Sequence, residues 1–508
     1  MHPSPQFEFA LGILKTLRKA GYEAYLAGGC VRDLLLGRKP ADYDVATSAT
    51  PDVVLEMFPR TFAVGAHFGV VLVADQPQSS SKESAPPQGS QVEVATFRSD
   101  GVYSDGRHPD EVRYTNSAAE DVQRRDFTVN GLLLDPLKLA DSTDAWSNSK
   151  AAMKGTGFSL YIADAAPEEA LAPEGSSALH FAPKLSSKSL RDAVVDHVGG
   201  LADLDAGIIR AIGDPGRRFQ EDQLRLLRAV RFAARFGFEI EPATFAAIRA
   251  LAPRIHAVSR ERVRDELTKM LTEGHARRAF ELLDETSLLA EVLPEIARMK
   301  GVPQPPQFHP EGDVWVHTLL LLDQLQPGCP LTLAWGALLH DVGKPPTFRV
   351  APDRIRFDAH VEVGVAMGAE ICRRFRFSND ETRMILALIE NHMRFADAPR
   401  MKASTLKRFF RLENFDQHLA LHRMDCLAAH GKLDILDFVR ERYESTPEEV
   451  VRPIPLLTGD DLIAAGYAPG PQFQQMLRTV EDAQLDGAIA TTNQALALIG
   501  ERFPQAQN

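Results

Sequence analysis

The pattern of apolar and polar positions divides the chain into two regions with different periodicity. Residues 22–135 alternate short apolar runs with turn residues, and the runs are rich in β-branched side chains, as is typical of strands. A helical stretch, VRDLLLG, lies near their start. From about residue 200 onward, apolar residues recur at helical spacing and are broken by proline and glycine. The pattern therefore predicts an α+β fold, in which a mixed sheet with helices is followed by a long all-helical body.

Two segments show neither the strand-like nor the helical spacing of apolar residues, which indicates insertions. Residues 76–91 are rich in Ser, Pro and Gln, and we expect a disordered insert between two strands. Residues 137–191 are rich in Ala, Ser, Gly and Pro and should contribute little to a core. The proline-rich segment 300–312 indicates a domain boundary. The predicted domains are a head at 1–136 with its insert at about 76–91, a low-complexity insert at 137–191, a helical neck at 192–300, a further helical domain at 301–450 and a C-terminal helical tail at 451–508.

Composition and charge indicate a soluble globular protein. Hydrophobic residues make up 44% of the chain and charged residues 25%. No apolar run approaches the length of a membrane span, and the first residues lack the features of a signal peptide. The four cysteines follow no zinc or redox spacing, which fits a cytoplasmic protein. The formal net charge of −12 argues against a general nucleic-acid binder, but arginines concentrate in residues 210–264 and could present one basic face to phosphate.

The first candidate chemistry lies in GGCVRDLLLGRKPADYDVAT, which begins at Gly28. Asp42 and Asp44 are two residues apart, so on a strand both carboxylates would point to one face and could share Mg²⁺. Gly28 and Gly29 would let backbone amides approach a phosphate, and Arg32 offers a planar fork to its oxygens. Such a site could clamp a triphosphate for metal-assisted phosphoryl transfer. The alternative is a solvated strand end without chemistry.

A second group of charges lies in EDQLR and the residues after it. If this segment is helical, Asp222 and Arg225 are neighbours on one face, where they could pair with the Watson–Crick edge of a base. Protein side chains would then select a nucleotide without a template. The alternative is an intrahelical salt bridge on a solvated face. Arg228, Arg231 and Arg235 follow at spacings of three and four, and either line a groove for a phosphate backbone or form a solvated stripe.

Histidines and aspartates in the second half form a third group. His340 and Asp341 close an apolar run, where an unpaired buried charge would be costly. With His317 and Asp425 they give an H…HD…D pattern, whose mixed imidazole and carboxylate ligands suit Ni²⁺, Mn²⁺ or Co²⁺ better than Mg²⁺. A metal held there would activate a water for phosphoester hydrolysis. Candidate extra ligands or phosphate contacts are His360, His392 and Lys344.

Several of these motifs occur in the order of a known family. GGCVRDLLLGRKPADYDVAT closely resembles the class II nucleotidyltransferase signature of bacterial tRNA CCA-adding enzymes and poly(A) polymerases, whose head is polymerase-β-like. VEVATFRSDG, RRDFTVNGLLLD, VVDHVGGLADL and EDQLRLLRAVRFAARFGF resemble later motifs of that family. The H…HD…D pattern resembles that of the HD phosphohydrolase superfamily.

The resemblance implies roles for individual residues. Asp42 and Asp44 would be catalytic Mg²⁺ ligands, and Glu93 is a candidate third metal carboxylate. Other residues would orient the phosphates of the incoming nucleotide, position its sugar or select C and A. These implied nucleotide-binding residues are Gly28, Gly29, Arg32, Arg124, Asp126, Asn130, Asp222, Arg225, Arg228 and Arg231.

The implied function is template-independent addition of C, C and A to tRNA 3′ ends from CTP and ATP, with release of pyrophosphate and a second, metal-dependent phosphohydrolase activity in the HD domain. A poly(A) polymerase, or an enzyme that adds only A or only CC, shares the same head and is the nearest alternative. A second alternative is an HD phosphohydrolase whose head only binds nucleotide. The aspartate pair argues against a third, a non-catalytic RNA-binding protein. The implied partners are tRNA, CTP and ATP but no membrane, and the sequence does not indicate an oligomeric state.

Overall fold

The computed structural model forms two compact units. The first comprises Met1–Ala229 and Phe236–Leu251, and the second comprises Val230–Arg235 and Ala252–Asn508. The structure describes residues 4–63, 69–75, 90–101, 111–140, 187–307, 309–310 and 312–504.

A mixed sheet is the centre of the first unit. The strands of this unit are β1 (Ala24–Ala27), β2 (Asp44–Thr47), β3 (Thr61–Phe62), β4 (Val70–Ala74), β5 (Gln91–Thr96), β6 (Arg98–Asp100), β7 (Val112–Tyr114), β8 (Leu133–Leu134), β9 (Val194–Val195), β10 (Ile208–Ile209) and β11 (Glu239–Ile240). Seven of them form one sheet in the order β3-β4-β5-β2-β1-β8-β9. Its neighbours are antiparallel except β2 and β5, which are parallel.

Helices accompany this sheet and follow it along the chain. The helices that begin in the first unit are α1 (Pro5–Lys19), α2 (Gly29–Leu35), α3 (Pro51–Met57), α4 (Ala118–Gln123), α5 (Leu137–Ala140), α6 (Ser187–Asp192), α7 (Gly200–Ala206), α8 (Pro215–Glu221), α9 (Leu224–Phe236) and α10 (Pro242–Leu251), with a 3₁₀ helix at Thr128–Asn130. Residues 230–235 of α9 belong to the second unit.

Alternation along β5 shows how the sequence positions a site. Val92 and Val94 are buried, whereas Glu93 between them is exposed on the other face of the strand. Successive side chains of a strand point to opposite faces, so burying the valines directs Glu93 away from the core. The parallel register of β2 and β5 pairs Glu93 with Asp44. Burial of apolar side chains thus brings two carboxylates from distant segments to the same place.

The second unit is almost entirely helical. Its helices are α11 (Arg260–Thr272), α12 (Ala276–Glu285), α13 (Leu288–Val292), α14 (Pro294–Ala297), α15 (Val314–Leu322), α16 (Leu331–Leu339), α17 (Lys344–Thr347), α18 (His360–Arg374), α19 (Asn379–Asn391), α20 (Ala403–Phe410), α21 (Phe415–Ala428), α22 (Asp434–Ser445), α23 (Glu448–Val451), α24 (Gly459–Ala464), α25 (Gln472–Leu485) and α26 (Thr492–Arg502), with 3₁₀ helices at Ala252–Ala257 and His392–Arg400. Two short strands, β12 (Arg349–Val350) and β13 (Ile355–Arg356), pair as an antiparallel hairpin.

Apolar helix faces hold the second unit together. Trp335 of α16 is fully buried, and its indole N–H donates to the Thr268 hydroxyl of α11 at 2.9 Å. Bringing a large aromatic side chain out of water while its one donor stays paired is strongly stabilising. The C-terminal helices form a further core around Leu462, Met476 and Ile499.

These observations confirm the predicted fold class, a mixed sheet with helices followed by a helical body. The helical region also contains short strands, β10 to β13, which the periodicity did not indicate because two-residue strands are too brief to show one. Strand β9, assigned to the neck by the predicted boundaries, pairs with β8 in the sheet. The predicted boundaries at 300 and 450 fall inside the second unit. Most of both predicted inserts, 76–91 and 137–191, lies outside the described residues.

Within the described parts of the chain, none of the helices combines the length and apolar character that crossing a membrane requires.

Candidate active sites

The first candidate site lies at one end of the paired strands β2 and β5. Asp44 opens β2, in register with Glu93 of β5 and opposite Ala27 of β1. A cavity of about 160 Å³ is lined by both carboxylates together with Arg124 and Arg125. The site therefore places two acidic groups and two guanidinium groups around one small space.

Asp42 differs from the prediction, because it precedes β2 instead of lying on it. The strand begins at Asp44, and Asp42 is an exposed residue of the preceding loop. The side chain between them, Tyr43, is buried and packs edge-on against Phe7 at 5.4 Å between ring centroids. Tyr43 thus anchors the loop in the core and holds Asp42 close to the strand end.

The carboxylates of this site interact unfavourably with one another. Burial, together with the negative charges of Asp42 and Glu93, raises the pKa of Asp44 to about 7, although Arg125 acts in the opposite direction. Such a group is stabilised by a cation that several carboxylates share, and oxygen ligands suit Mg²⁺. In the described chain, the groups of three or more ligand atoms that lie within 4.8 Å of one another are elsewhere, so these carboxylates do not yet converge on one point.

Gly28 has a structural function in this site. Its φ of 73° lies in the left-handed region that favours glycine, and a Cβ there would lie 3.1 Å from Nη1 of Arg125. The Gly28 amide donates to the Leu132 carbonyl at 3.1 Å, so this N–H is already used by the fold. Gly29 begins the short helix α2. The glycine pair allows a sharp turn between β1 and α2, and it leaves room for the guanidinium of Arg125 beside the Gly28 backbone.

Four predicted nucleotide-binding residues form one hydrogen-bonded chain. Buried Arg32 donates through Nε and Nη2 to Asp33 at 2.9 and 2.7 Å, and through Nη1 to the side-chain oxygen of Asn130. The Asn130 amide donates to Asp126 at 3.0 Å, and Arg228 donates to the other oxygen of Asp126 at 2.8 and 2.7 Å. The structure thus brings together residues from three motifs through hydrogen bonds that each involve at least one charged group.

The partners of Asp126 in this hydrogen-bonded chain stabilise its charged form. Burial alone would raise its pKa, but the charges of Arg228 and Arg225 and the hydrogen bonds from Asn130 and Arg228 lower the pKa to about 2. The carboxylate is therefore ionised at neutral pH and holds its partners in fixed orientations.

Arg124 and Arg125 share a buried aspartate. Asp121 accepts from Arg124 Nε at 2.9 Å and from Arg125 Nη2 at 3.1 Å, which fixes both guanidinium groups at the cavity. The Nε of Arg125 is buried and has no hydrogen-bond partner. The sequence analysis singled out Arg124 and missed Arg125, although the tandem arginines of RRDFTVN were a signal for both.

Asp222 and Arg225 do not share a helical face, contrary to the prediction. Asp222 is extended, with φ −143° and ψ 107°, in the break between α8 and α9, and its carboxylate accepts from the Leu224 amide at 3.1 Å. Arg225 donates to Glu221 at 3.0 Å and to the Arg124 carbonyl at 3.1 Å. Aspartate competes for nearby backbone amides, which favours a helix start over a helix interior. The predicted intrahelical Asp222–Arg225 salt bridge is likewise replaced by an ion pair with Glu221.

The later arginines of α9 lie in the second unit. Buried Arg231 donates to Glu266 at 2.7 Å and to Glu273 at 3.2 Å, and Arg235 donates to Glu273 at the same distance. Neither the phosphate groove nor the solvated stripe describes Arg231, whose guanidinium is held by two carboxylates. An apolar–basic helical pattern cannot distinguish a solvated arginine from one that meets a buried acid on another helix.

The second candidate site gathers the H…HD…D residues inside the helical unit. His317 lies in α15, His340 and Asp341 follow α16, and Asp425 lies in α21. His317 Nε2 lies 3.0 Å from an Asp425 oxygen and 3.3 Å from His340 Nε2. All four residues were predicted, and the structure brings all four together.

His360 and His392 join this site from α18 and the 3₁₀ helix after α19. Asp341 lies 3.2 Å from His340 Nε2 through one oxygen and 3.8 Å from His392 Nε2 through the other. The ligand atoms form two groups, and within each group they lie within 4.8 Å of one another. The first group comprises His317, His340 and Asp425, and the second comprises Asp341, His360 and His392.

The histidine tautomers fit a metal centre. The Nδ1 atoms of His340, His360 and His392 donate to the carbonyls three residues before each, at 2.8, 2.9 and 2.6 Å. Each Nε2 therefore carries the lone pair, as in histidines that bind a metal. The Nε2 atoms of His360 and His392 are buried and without a hydrogen-bond partner. Burial lowers the pKa of His392 to about 4, so its ring is neutral.

Lys344 completes the charge balance of this centre. Its ammonium lies 2.6 Å from Asp341 and donates to Gln304 at 2.7 Å. Burial would raise the pKa of Asp341, but Lys344 and the two nearest histidines lower it well below its usual range. Gln304 is buried in the proline-rich segment, and no sequence signal indicated its contact with Lys344.

We expect Gly343→Ala to destabilise the second unit, because a methyl group there would overlap the His360 carbonyl and approach the Gly364 nitrogen at 2.6 Å. Overpacking of this kind costs about 1–3 kcal/mol. The measurement is the free energy of unfolding from denaturant titration. Gly470→Ala, whose methyl group meets no atom within 4 Å, is the control. Equal effects of the two variants would contradict the close packing at Gly343.

We also expect the Asp126–Arg228 ion pair to stabilise the first unit in a pH-dependent way. Because folding lowers the pKa of Asp126 to about 2, the stabilisation is complete above the pKa of the unfolded state and is lost as the pH falls through the folded value. The difference in unfolding free energy between wild type and Asp126→Asn should be about 2 kcal/mol near neutral pH and should shrink toward pH ~2. Asp192→Asn, at an exposed position, is the control. A difference that does not change with pH would contradict the assignment.

Comparison with known proteins finds family models over the segments that contain both sites. Residues 24–148 match the poly A polymerase head domain, 237–300 the probable RNA and SrmB-binding site of polymerase A, and 313–429 the HD domain. These matches place Asp42, Asp44 and Glu93 in the head domain and the histidine centre in the HD domain.

Curated relatives and a solved structure extend this agreement. The chain is 36% identical over 293 residues to the CCA-adding enzyme of Geobacillus thermodenitrificans, and 37% identical over 271 residues to that of Levilactobacillus brevis. These alignments cover 58% and 53% of this chain, but only 56% and 52% of the relatives, or about half their length. A crystal structure of the Bacillus stearothermophilus CCA-adding enzyme in complex with CTP superposes with a TM-score of 0.65 at 26% identity, over 98% of each chain. The chain therefore carries matches to the poly A polymerase head domain and to the HD domain, and it is similar to bacterial CCA-adding enzymes.

Proposed function

We propose that the first unit transfers nucleotides to the 3′ end of tRNA, adding C, C and A from CTP and ATP. The observation that carries this proposal is the in-register pair Asp44 and Glu93, which share one cavity with Arg124 and Arg125 inside a poly A polymerase head domain. The similarity to CCA-adding enzymes, one of which is seen with CTP, supports the choice of nucleotides. The reaction is attack of the tRNA 3′-hydroxyl on the α-phosphorus of the nucleotide, with pyrophosphate as the leaving group.

The donor set fits a divalent cation, for which we propose Mg²⁺. Asp42, Asp44 and Glu93 would hold it, since their mutual repulsion is relieved by a shared positive charge. When bound, Mg²⁺ lowers the pKa of the attacking hydroxyl and neutralises charge on the leaving group. Arg124 and Arg125 present fixed guanidinium groups to the triphosphate, and Asp121 prevents them from turning away.

The hydrogen-bonded chain of Arg32, Asn130, Asp126 and Arg228 would position the sugar and the phosphates. Its members already pair with one another, so little rotamer freedom is lost when a nucleotide binds. Asp222, in the break between two helices, and Arg225 would read the base edge. Because Asp222 lies outside a helix, a small rotation of the break would change which donors and acceptors face the base.

Replacing Asp44 tests the transferase site. Asp44→Asn should lower CMP and AMP incorporation into tRNA ending before or within CCA by at least about 100-fold, because a lost metal contact removes several kcal/mol of transition-state stabilisation. Incorporation is measured with each labelled nucleoside triphosphate singly and in pairs. Asp52→Asn, an exposed acidic residue of α3, should leave it unchanged.

The wild-type products distinguish the alternatives. Addition of C and then A that stops at CCA supports the proposal. An open-ended A tail would show a poly(A) polymerase, and addition of A alone or CC alone would show the corresponding restricted enzyme. No incorporation by the wild type would leave the head as a nucleotide-binding domain.

We further propose that the second unit hydrolyses phosphoesters at the histidine centre. Two adjacent groups of ligand atoms, with Nε2 lone pairs directed into the centre, favour one or two transition-metal ions, for which Ni²⁺, Mn²⁺ and Co²⁺ are candidates. His317, His340, Asp341, His360, His392 and Asp425 would hold them. Such an ion would lower the pKa of a bound water. Lys344, whose ammonium lies beside Asp341, would neutralise part of the negative charge of the phosphate. Both activities are consistent with the predicted location in the cytoplasm.

His317→Ala tests this centre. We expect loss of bound metal and a fall of at least about 100-fold in phosphomonoester hydrolysis, since removal even of groups that only orient ligands costs 10–100-fold. Metal content is measured by elemental analysis after loading with Ni²⁺, Mn²⁺ or Co²⁺. His256→Ala, at an exposed histidine of the same unit, is the control. Nucleotide addition should be kept in both variants, and its loss in a folded His317→Ala protein would contradict the division into two sites.

A further inference from the structure

A large cavity opens beside the histidine centre. Its volume is about 700 Å³, within the usual range for small-molecule sites. His360, His392 and Asp425 line it, and so does the segment Arg354–Asp358, which contains β13. The hairpin therefore forms one wall of the space in which a substrate of the centre would lie.

Arg356 of this hairpin has an unused hydrogen-bond donor. Its Nη2 donates to Asp353 at 2.9 Å, but its Nε is buried and without a hydrogen-bond partner. A buried donor that lacks a partner is destabilising, so a ligand oxygen that accepts from Arg356 Nε would relieve this penalty. The Nε2 atoms of His360 and His392 in the same cavity are unpaired acceptors. A cation would satisfy these acceptors, and an anionic oxygen would satisfy the donor.

The residue after Arg356 connects the hairpin to the centre. The Phe357 carbonyl accepts from His360 Nδ1 at 2.9 Å, and the Phe357 ring lies 5.5 Å from Lys344 Nζ. One short segment thus orients a candidate metal ligand and supplies the orphan donor. The positions of Arg356 and His360 are therefore coupled through the backbone of Phe357.

Charge and shape of the cavity indicate the class of ligand. Four basic side chains and three carboxylates line the cavity, which leaves one net positive charge apart from the histidines. The basic residues are Lys344, Arg354, Arg356 and Lys432, and the acidic ones are Asp358, Asp425 and Asp434. Apolar side chains form other parts of the wall, and they include Ile355, Phe357, Met393 and Ile435. This combination fits an organic phosphoester that has an anionic head and an apolar or planar group.

We propose that the hairpin is the substrate-recognition element of the HD site, and that Arg356 binds the phosphate group of an organic phosphoester through Nε. Arg356 is a specificity-determining residue in this assignment, while hydrolysis itself belongs to the histidine centre. The inference rests on the proposed phosphohydrolase function for its substrate class. The unpaired donor and the cavity stand independently of that function.

The test compares Arg356→Ala and Arg356→Lys with wild type, using p-nitrophenyl phosphate as substrate and phenylphosphonate as a ligand that is not hydrolysed. Arg373→Ala is the matched control, because Arg373 is an exposed arginine of the same unit and pairs with Glu370 outside the cavity lining. The full chain is loaded with Mn²⁺, and bound metal is measured for every variant. Kinetics give KM and kcat, and calorimetry gives the affinity for phenylphosphonate.

We expect Arg356→Ala to raise KM and weaken phenylphosphonate binding by about tenfold or more, as loss of a charge-assisted hydrogen bond predicts, with kcat and metal content nearly unchanged. Arg356→Lys should recover only part of the affinity, because an ammonium lacks the planar fork. Unchanged binding in Arg356→Ala, or an equal loss in Arg373→Ala, would overturn the inference. If the wild type hydrolyses nothing, the proposed phosphohydrolase function fails, and the binding comparison still decides the role of Arg356.

Discussion

The parallel pairing of β2 with β5 is the constraint on which the head domain depends. Alternate valines of β5 are buried, which fixes the register and leaves Glu93 facing the cavity beside Asp44. Burial and the neighbouring carboxylates raise the pKa of Asp44 to about 7, so a shared cation would stabilise the charged groups at this strand end. Slipping the register by one residue would turn Glu93 into the core. The same strand register therefore both buries the valines of the core and forms the acidic site.

Buried charge in both units is organised by pairing, and the two units use it differently. In the first, Asp126 is enclosed by Arg228 and Asn130, so the group stays charged and rigid. In the second, the histidines donate from Nδ1 to backbone carbonyls and keep their Nε2 lone pairs inside. The first arrangement is complete without a ligand. The second leaves buried acceptors that a cation would satisfy, which makes it the better candidate for a resident metal.

The sequence predicted the geometry of the HD centre better than that of Asp222 and Arg225. The structure brings together every histidine and aspartate that was expected there. The sequence could indicate them because polar, ionisable residues at the end of an apolar run are costly to bury without a partner. Asp222 and Arg225 had the spacing of helical neighbours, yet Asp222 caps the start of α9. Residues three apart at a helix start have the same spacing as residues inside a helix, so the pattern could not separate them.

The sequence by itself determined the fold class, the order of the motifs and the residue types of both sites, since periodicity and motif spacing are local properties. Only the tertiary structure decided which charges meet. It placed Arg125 beside Asp44, Arg231 between two glutamates, and Arg356 in the wall of the HD cavity. Ion pairs and unpaired donors depend on contacts between distant segments, and hydrophobic burial, which is not specific to partners, arranges those segments.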